Sequence, residues 1–202
     1  MPELNFCTIN WDLTYQEYSD YFAKQINNGD RGLLTEFENE KHNFTKLNFQ
    51  RSSRLEKTFE VSEESRQVLS LITKKQQWIV ITELWCGDSA QSIPVMQKLV
   101  QLNSNIELKI LFRDSNLDFM ELYLTNGGRS IPKLIVFDEN GNEVFQWGPR
   151  PVEGQNLFTK LKNEGLEKTE ISKELHLWYG RNRGKEVEKE LVELLKGAIN
   201  KN

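Results

Sequence analysis

Apolar residues recur at spacings of three and four early in the chain, at Tyr15, Tyr18, Phe22 and Ile26, the period of one helical face. Asp12 or Thr14 caps such a helix, and Asn27-Asn28-Gly29-Asp30 stops it. Leu33, Leu34 and Phe37 start another helix, and Phe44, Leu47, Arg51 and Leu55 suggest a third, weaker one. Val61-Ser62-Glu63-Glu64-Ser65 reads as a helix start with Ser62 as cap, and Val68, Leu69 and Ile72 give that helix its buried face.

From Trp78 the period changes. Trp78 to Leu84 is a near-continuous apolar run, the mark of a strand buried on both faces. Ser89 to Leu102 reads as a helix, Ile106 to Phe112 as a second strand, and Leu117 to Thr125 as a helix ended by Asn126-Gly127-Gly128. Lys133 to Phe137 is a third strand. Asp138-Glu139-Asn140-Gly141 signals a hairpin turn, followed by a strand from Glu143 to Trp147. A helix carrying Leu157, Phe158 and Leu161 comes next. This β-α-β-α-β-β order implies parallel pairing through right-handed crossovers, then an antiparallel edge hairpin. The chain closes on an amphipathic helix, with Val187, Leu191, Leu194, Leu195 and Ala198 on one stripe. Such a stripe usually faces a core; a partner-binding arm is the alternative.

Composition narrows the function. The 202 residues carry 26 basic and 30 acidic side chains, a net charge of −4, which argues against a general nucleic-acid binder. The N-terminus lacks a basic and apolar leader. No apolar run approaches the ~20 residues that span a bilayer. The expected address is the cytoplasm, where thiols stay reduced. Only Cys7 and Cys86 are present. That excludes a disulfide-rich scaffold and a four-cysteine zinc site, and with His42 and His176 alone to help, no metal is expected. No cofactor and no membrane partner are expected, and the oligomeric state is open. The expected boundaries are a helical extension over 1–57, a core over 58–166, and a second helical extension over 167–202.

The chemistry concentrates at Trp85-Cys86-Gly87-Asp88-Ser89, where a buried strand runs into a helix. First-turn N–H groups and the helix dipole favour an anion there. They can lower a cysteine pKa from about 8.5 into the ~3.5–7.5 range. The competing reading is a buried cysteine packed as a small hydrophobe. Pro94 lies eight residues beyond Cys86. Ile131-Pro132, just before a buried strand, is a candidate cis proline.

In this order, Trp-Cys-Gly, the later proline and Ile-Pro before a strand resemble the thioredoxin family, over about Phe59 to Leu161. The Trp-Cys-Gly-Asp variant and the helical start also look like a bacterial subgroup of thioredoxin-like proteins. The resemblance implies an α/β thioredoxin-like fold: a three-layer α/β/α sandwich on a central mixed sheet. It gives Cys86 the attacking role and Pro132 that of the cis proline, with Ile131 pairing to a substrate strand. Trp85, Gly87, Asp88 and Ser89 complete the substrate-binding surface, and Gly148 matches a glycine that permits close approach of a partner.

Two departures matter. Ser89 stands where the resolving cysteine would be, and Val80 where an acid is common; Glu83 lies nearby. The expected function is therefore a monothiol redox protein. Its partners are protein disulfides, or small thiols such as glutathione that release the mixed disulfide. The alternative is a non-catalytic binding module of the same fold. For Asp88 and Ser89 the plainer role is at the helix N-terminus. Arg113, Asp114 and Arg129 could line the active face, but surface pairing is the plainer account. His42 and His176 read as exposed helix positions, and Cys7 is a weak candidate for an internal resolver.

Overall fold

The computed structural model describes residues 13–27 and 35–200. The expectations placed on Cys7, Asp12, Leu33 and Leu34 lie outside the described residues. A short strand β1 (Leu13–Thr14) leads directly into α1 (Tyr15–Asn27). Thr14 caps that helix, accepting from the Glu17 N–H at 3.3 Å while the Glu17 carboxylate accepts from the Thr14 N–H at 2.8 Å.

One helix, α2 (Glu36–Thr58), replaces the two expected between Leu33 and Leu55. Its span holds no glycine or proline to break it, and Thr35 and Glu38 form a reciprocal capping box at its start. The stripe expected to be buried is mostly not. Phe44 and Leu47 are exposed, while Thr45, Asn48, Ser52 and Leu55 face inward. The polar members of that face have backbone groups to satisfy: Asn48 Nδ2 donates to the Leu84 carbonyl at 3.1 Å and Ser52 Oγ to that of Ala90 at 3.2 Å. Buried carbonyls require donors, and here that requirement overrides hydrophobic patterning.

Helix α3 (Glu63–Ser70), capped by Ser62, precedes β2 (Gln76–Thr82), α4 (Gly87–Val100), β3 (Ile106–Phe112) and the single-turn α5 (Leu117–Glu121). The hairpin β4 (Lys133–Asp138) and β5 (Glu143–Trp147) follows, and the chain ends in α6 (Val152–Asn163), α7 (Lys168–Asn182) and α8 (Lys185–Ile199). No helix of the described residues is long and apolar enough to cross a membrane.

The five strands lie in the order β1-β3-β2-β4-β5. β2 and β3 are parallel, as the alternation of elements requires. β4 is not: it runs antiparallel to β2, with Lys133 opposite Ile81. The chain from Phe112 to Pro132 contains only a 3-10 turn at Arg113–Ser115, α5 and a tight turn at Thr125–Gly128. It never returns to the far end of the sheet, so β4 starts where β2 ends. That reversal brings Ile131 and Pro132 beside the residues that follow β2.

Both faces of the sheet are covered, which is why β2 reads as an unbroken apolar run. Trp78 and Val80 pack into one core with α1 to α4 and α8, whereas Ile79 and Ile81 pack into the other with Phe119, Met120 and Cys86. The stripe of α8 belongs to the first core, where Val187, Leu191 and Leu195 are fully buried. Glu188 ties α8 to α3, accepting from the Ser62 N–H at 2.7 Å and the Ser65 hydroxyl at 2.6 Å.

Candidate active site

β2 stops at Thr82 because the chain turns there, the Cys86 N–H donating to the Glu83 carbonyl at 3.0 Å. Cys86 is the N-cap of α4, which begins at Gly87, two residues before the expected start, and runs on through Pro94. Cys86 is only 8% exposed, and its Sγ donates to the Ile131 carbonyl at 3.4 Å. The Ile131–Pro132 peptide is cis. Gly148, at φ +119, lies so near the Pro132 carbonyl oxygen that a Cβ there would sit 2.2 Å from it. The close approach this glycine permits is therefore to the chain's own proline loop.

Two opposing effects act on the thiol. Burial pushes Cys86 up to about 11, and the negative charge of Asp88 adds to the rise. The Ser89 hydroxyl and the backbone N–H groups of Ser89 and Asp88 favour the thiolate. The lowered pKa expected from the helix N-terminus is thus reversed in the resting protein, because desolvation of the charged form outweighs the dipole. Ser89 is 1% exposed and its hydroxyl has no hydrogen-bond partner among the described residues. It does not cap α4; it is a buried donor poised beside the sulfur.

Asp88 lies in the first turn of α4, but its partners come from far along the chain. Oδ2 accepts from Arg150 Nη2 at 2.8 Å and Nε at 3.1 Å, and Oδ1 accepts from the Tyr179 hydroxyl at 2.8 Å. The Arg150 guanidinium also donates to Gln155 at 2.8 Å and stacks 4.4 Å over Phe158. Helix α7 thus reaches the motif directly. His176, expected at an exposed position, packs against Gly87: a Cβ on Gly87 would meet His176 Nε2 at 2.5 Å. Burial, with Arg51's positive charge, holds its pKa down to about 3, so the imidazole is neutral. Its buried Nδ1 has no hydrogen-bond partner among the described residues. Helix α2 supplies Asn48, which holds the Leu84 carbonyl and accepts from Arg51 at 2.8 Å.

The structure brings Trp85, Cys86, Gly87, Asp88, Ser89, Ile131 and Pro132 together at one end of the sheet. Trp85 is half-buried between cations, with the Arg113 guanidinium 5.1 Å and Lys41 Nζ 5.4 Å from its ring. Arg113 pairs with Asp114 at 2.7 Å, and Arg129 pairs with Glu121. The Glu83 carboxylate is engaged elsewhere, accepting the Asp114 N–H at 2.8 Å. Sequence reasoning missed Asn48, Arg150, His176 and Tyr179. The one available signal was the spacing of four between Ile171, Leu175 and Tyr179, which marks the buried face of α7.

A family model described as thioredoxin matches residues 34–162, more than half of the chain. No curated protein matches. Among solved structures, the chain is similar to a protein of unknown function, PA1234, from Pseudomonas aeruginosa. That match has 18% identity and a TM-score of 0.57, over 93% of this chain and 99% of the other. It is also similar to an HIV epitope-scaffold, with 19% identity and a TM-score of 0.55, over 92% of this chain and 99% of that one. At such identities the likeness is one of fold, and it extends over nearly the whole chain. The family match covers the strand-to-helix junction with Cys86 and the proline loop opposite it, and on that footing this chain belongs to the thioredoxin-like family.

Proposed function

We propose that the protein performs thiol–disulfide exchange through Cys86 alone. The observation that carries this reading is the placement of Cys86 Sγ at the N-cap of α4, 3.4 Å from the Ile131 carbonyl, with the Asp88 and Ser89 N–H groups and the Ser89 hydroxyl favouring a thiolate. The Cys86 thiol first gives its proton to solvent base. The thiolate attacks one sulfur of a partner disulfide, the S–S bond breaks, and the departing sulfur leaves as a thiolate that takes up a proton. The product is a mixed disulfide between Cys86 and the partner.

Ser89 cannot make the second attack. An external thiol such as glutathione then attacks the partner sulfur, freeing Cys86 and leaving a disulfide between the partner and the small thiol. A reducing, cytoplasmic compartment supplies that thiol. The Ile131 backbone offers an edge for an extended partner segment, and partner docking that displaces the Ile131 contact would free the sulfur. The second reading, a binding module that never turns over, is favoured by burial of the thiol and its rise to about 11.

The test uses a Cys7→Ser variant incubated at pH 8 with a disulfide-bonded peptide and read by mass spectrometry. The expected result is an adduct at Cys86 that reduced glutathione removes. Absence of any adduct would leave the binding module as the account.

A further inference from the structure

We propose that the cleft between α6 and α7 is a binding site for a small amphiphilic carboxylate. The cleft has a volume of about 480 Å³ and reaches Gly87 and Asp88, within the ~300–1,000 Å³ typical of small-molecule sites. Its charge runs against that of the protein, whose net charge is −4. Of the charged groups facing it, Asp88 is held by Arg150 at 2.8 Å. Lys162 and Lys168 are exposed at the rim, and neither forms an ion pair among the described residues.

The rest of the cleft is apolar. Phe158, Leu166, Ile171 and Leu175 line it and belong to a small core shared by α6 and α7. His176 joins them as a neutral imidazole whose buried Nδ1 has no hydrogen-bond partner among the described residues. Two unpaired cations above an apolar wall match a ligand with an anionic head and a hydrocarbon or aromatic body. A bare inorganic anion would leave the wall unused, and a neutral apolar molecule would leave the lysines unused. The site stands whether or not Cys86 turns over.

Octanoate is the probe, titrated into the full ¹⁵N-labelled chain, with octan-1-ol and sulfate as the two halves of its chemistry. The expected result is saturable shifts at Gly87, Ser172 and His176 with octanoate, and at least tenfold weaker binding of each comparator. Replacing both lysines (Lys162→Gln with Lys168→Gln) should weaken octanoate at least tenfold without altering the melting temperature. Ser172→Trp, which fills the cleft, should abolish binding. No saturable shift at these residues, octan-1-ol binding as well as octanoate, or unchanged binding in the double lysine variant would each overturn the proposal.

Discussion

Substituting Gly87 with alanine tests whether α7 roofs the Cys86 motif as the structure describes. Within a helix alanine is ordinarily better than glycine, by roughly 1 kcal/mol in the interior. Here the added methyl would lie 2.5 Å from His176 Nε2 and 2.6 Å from Cε1, far inside van der Waals contact. The imidazole must give way, yet its Nδ1 is buried, and Arg51 Nη1 lies 3.6 Å from the same methyl position. Overpacking of this kind costs about 1–3 kcal/mol, and at this chain length each kcal/mol lowers Tm by roughly 2–4 °C. His176→Ala opens the space the methyl needs. In that background Gly87→Ala should cost nothing or stabilise slightly. Urea denaturation of the wild type, both single variants and the double variant gives the coupling energy, expected at about 1 kcal/mol or more. Additivity to within about 0.5 kcal/mol would mean that the two residues do not meet, and the roof over the motif would be refuted.

Other consequences can be checked alongside. Asp88→Asn removes the partner of Arg150, whose side chain is 15% exposed; stability should fall by about 3–5 kcal/mol, while alkylation of Cys86 at neutral pH should speed up as the like charge disappears. Tyr179→Phe removes a hydrogen bond to a charged acceptor and should cost about 1.5–3 kcal/mol by chemical denaturation; no change would show that the hydroxyl does not hold Asp88 in solution. His176 makes the protein acid-sensitive. Its folded pKa of about 3 lies below the ordinary 6.5, so the unfolded chain binds the extra proton and stability is lost as pH falls from 6.5 toward 3. The slope should approach about 1.4 kcal/mol per pH unit in denaturation series, and His176→Phe should flatten it. Ser89→Cys supplies the missing second thiol and should confer insulin reduction in dithiothreitol; no gain would mean the groove itself has diverged.

Much of the fold is legible because local pattern and burial agree. β3 and β5 have the bounds the pattern implies, Ile106–Phe112 and Glu143–Trp147, and β2 is recognisable from residues buried on both faces. The direction of β4 is not legible, since it depends on α5 being one turn long, and propensity alone extends that helix to Thr125. Helix α2 misleads for a different reason: its buried face carries Asn48 and Ser52, chosen to satisfy carbonyls near the motif rather than to fill a core. The same division holds at the site. Cys86, Ile131 and Pro132 stand out because a motif marks them. Arg150 and Tyr179 meet Asp88 across 62 and 91 positions of sequence, and no local pattern reports such contacts. His176 belongs with them, a residue whose polarity suggests solvent and whose neighbours exclude it.

In the resting protein, burial and the negative charge of Asp88 hold the Cys86 thiol protonated. The most direct measurement is the rate of Cys86 alkylation by iodoacetamide against pH in the Cys7→Ser variant, followed by mass spectrometry. With a pKa of about 11, about one thiol in ten thousand is ionised at pH 7. The rate should then rise nearly tenfold per pH unit from pH 7 to 10 without levelling off. A plateau at or below the pKa of free cysteine, about 8.5, would contradict the account, because it would mean that the helix N-terminus, and not burial, governs the thiol.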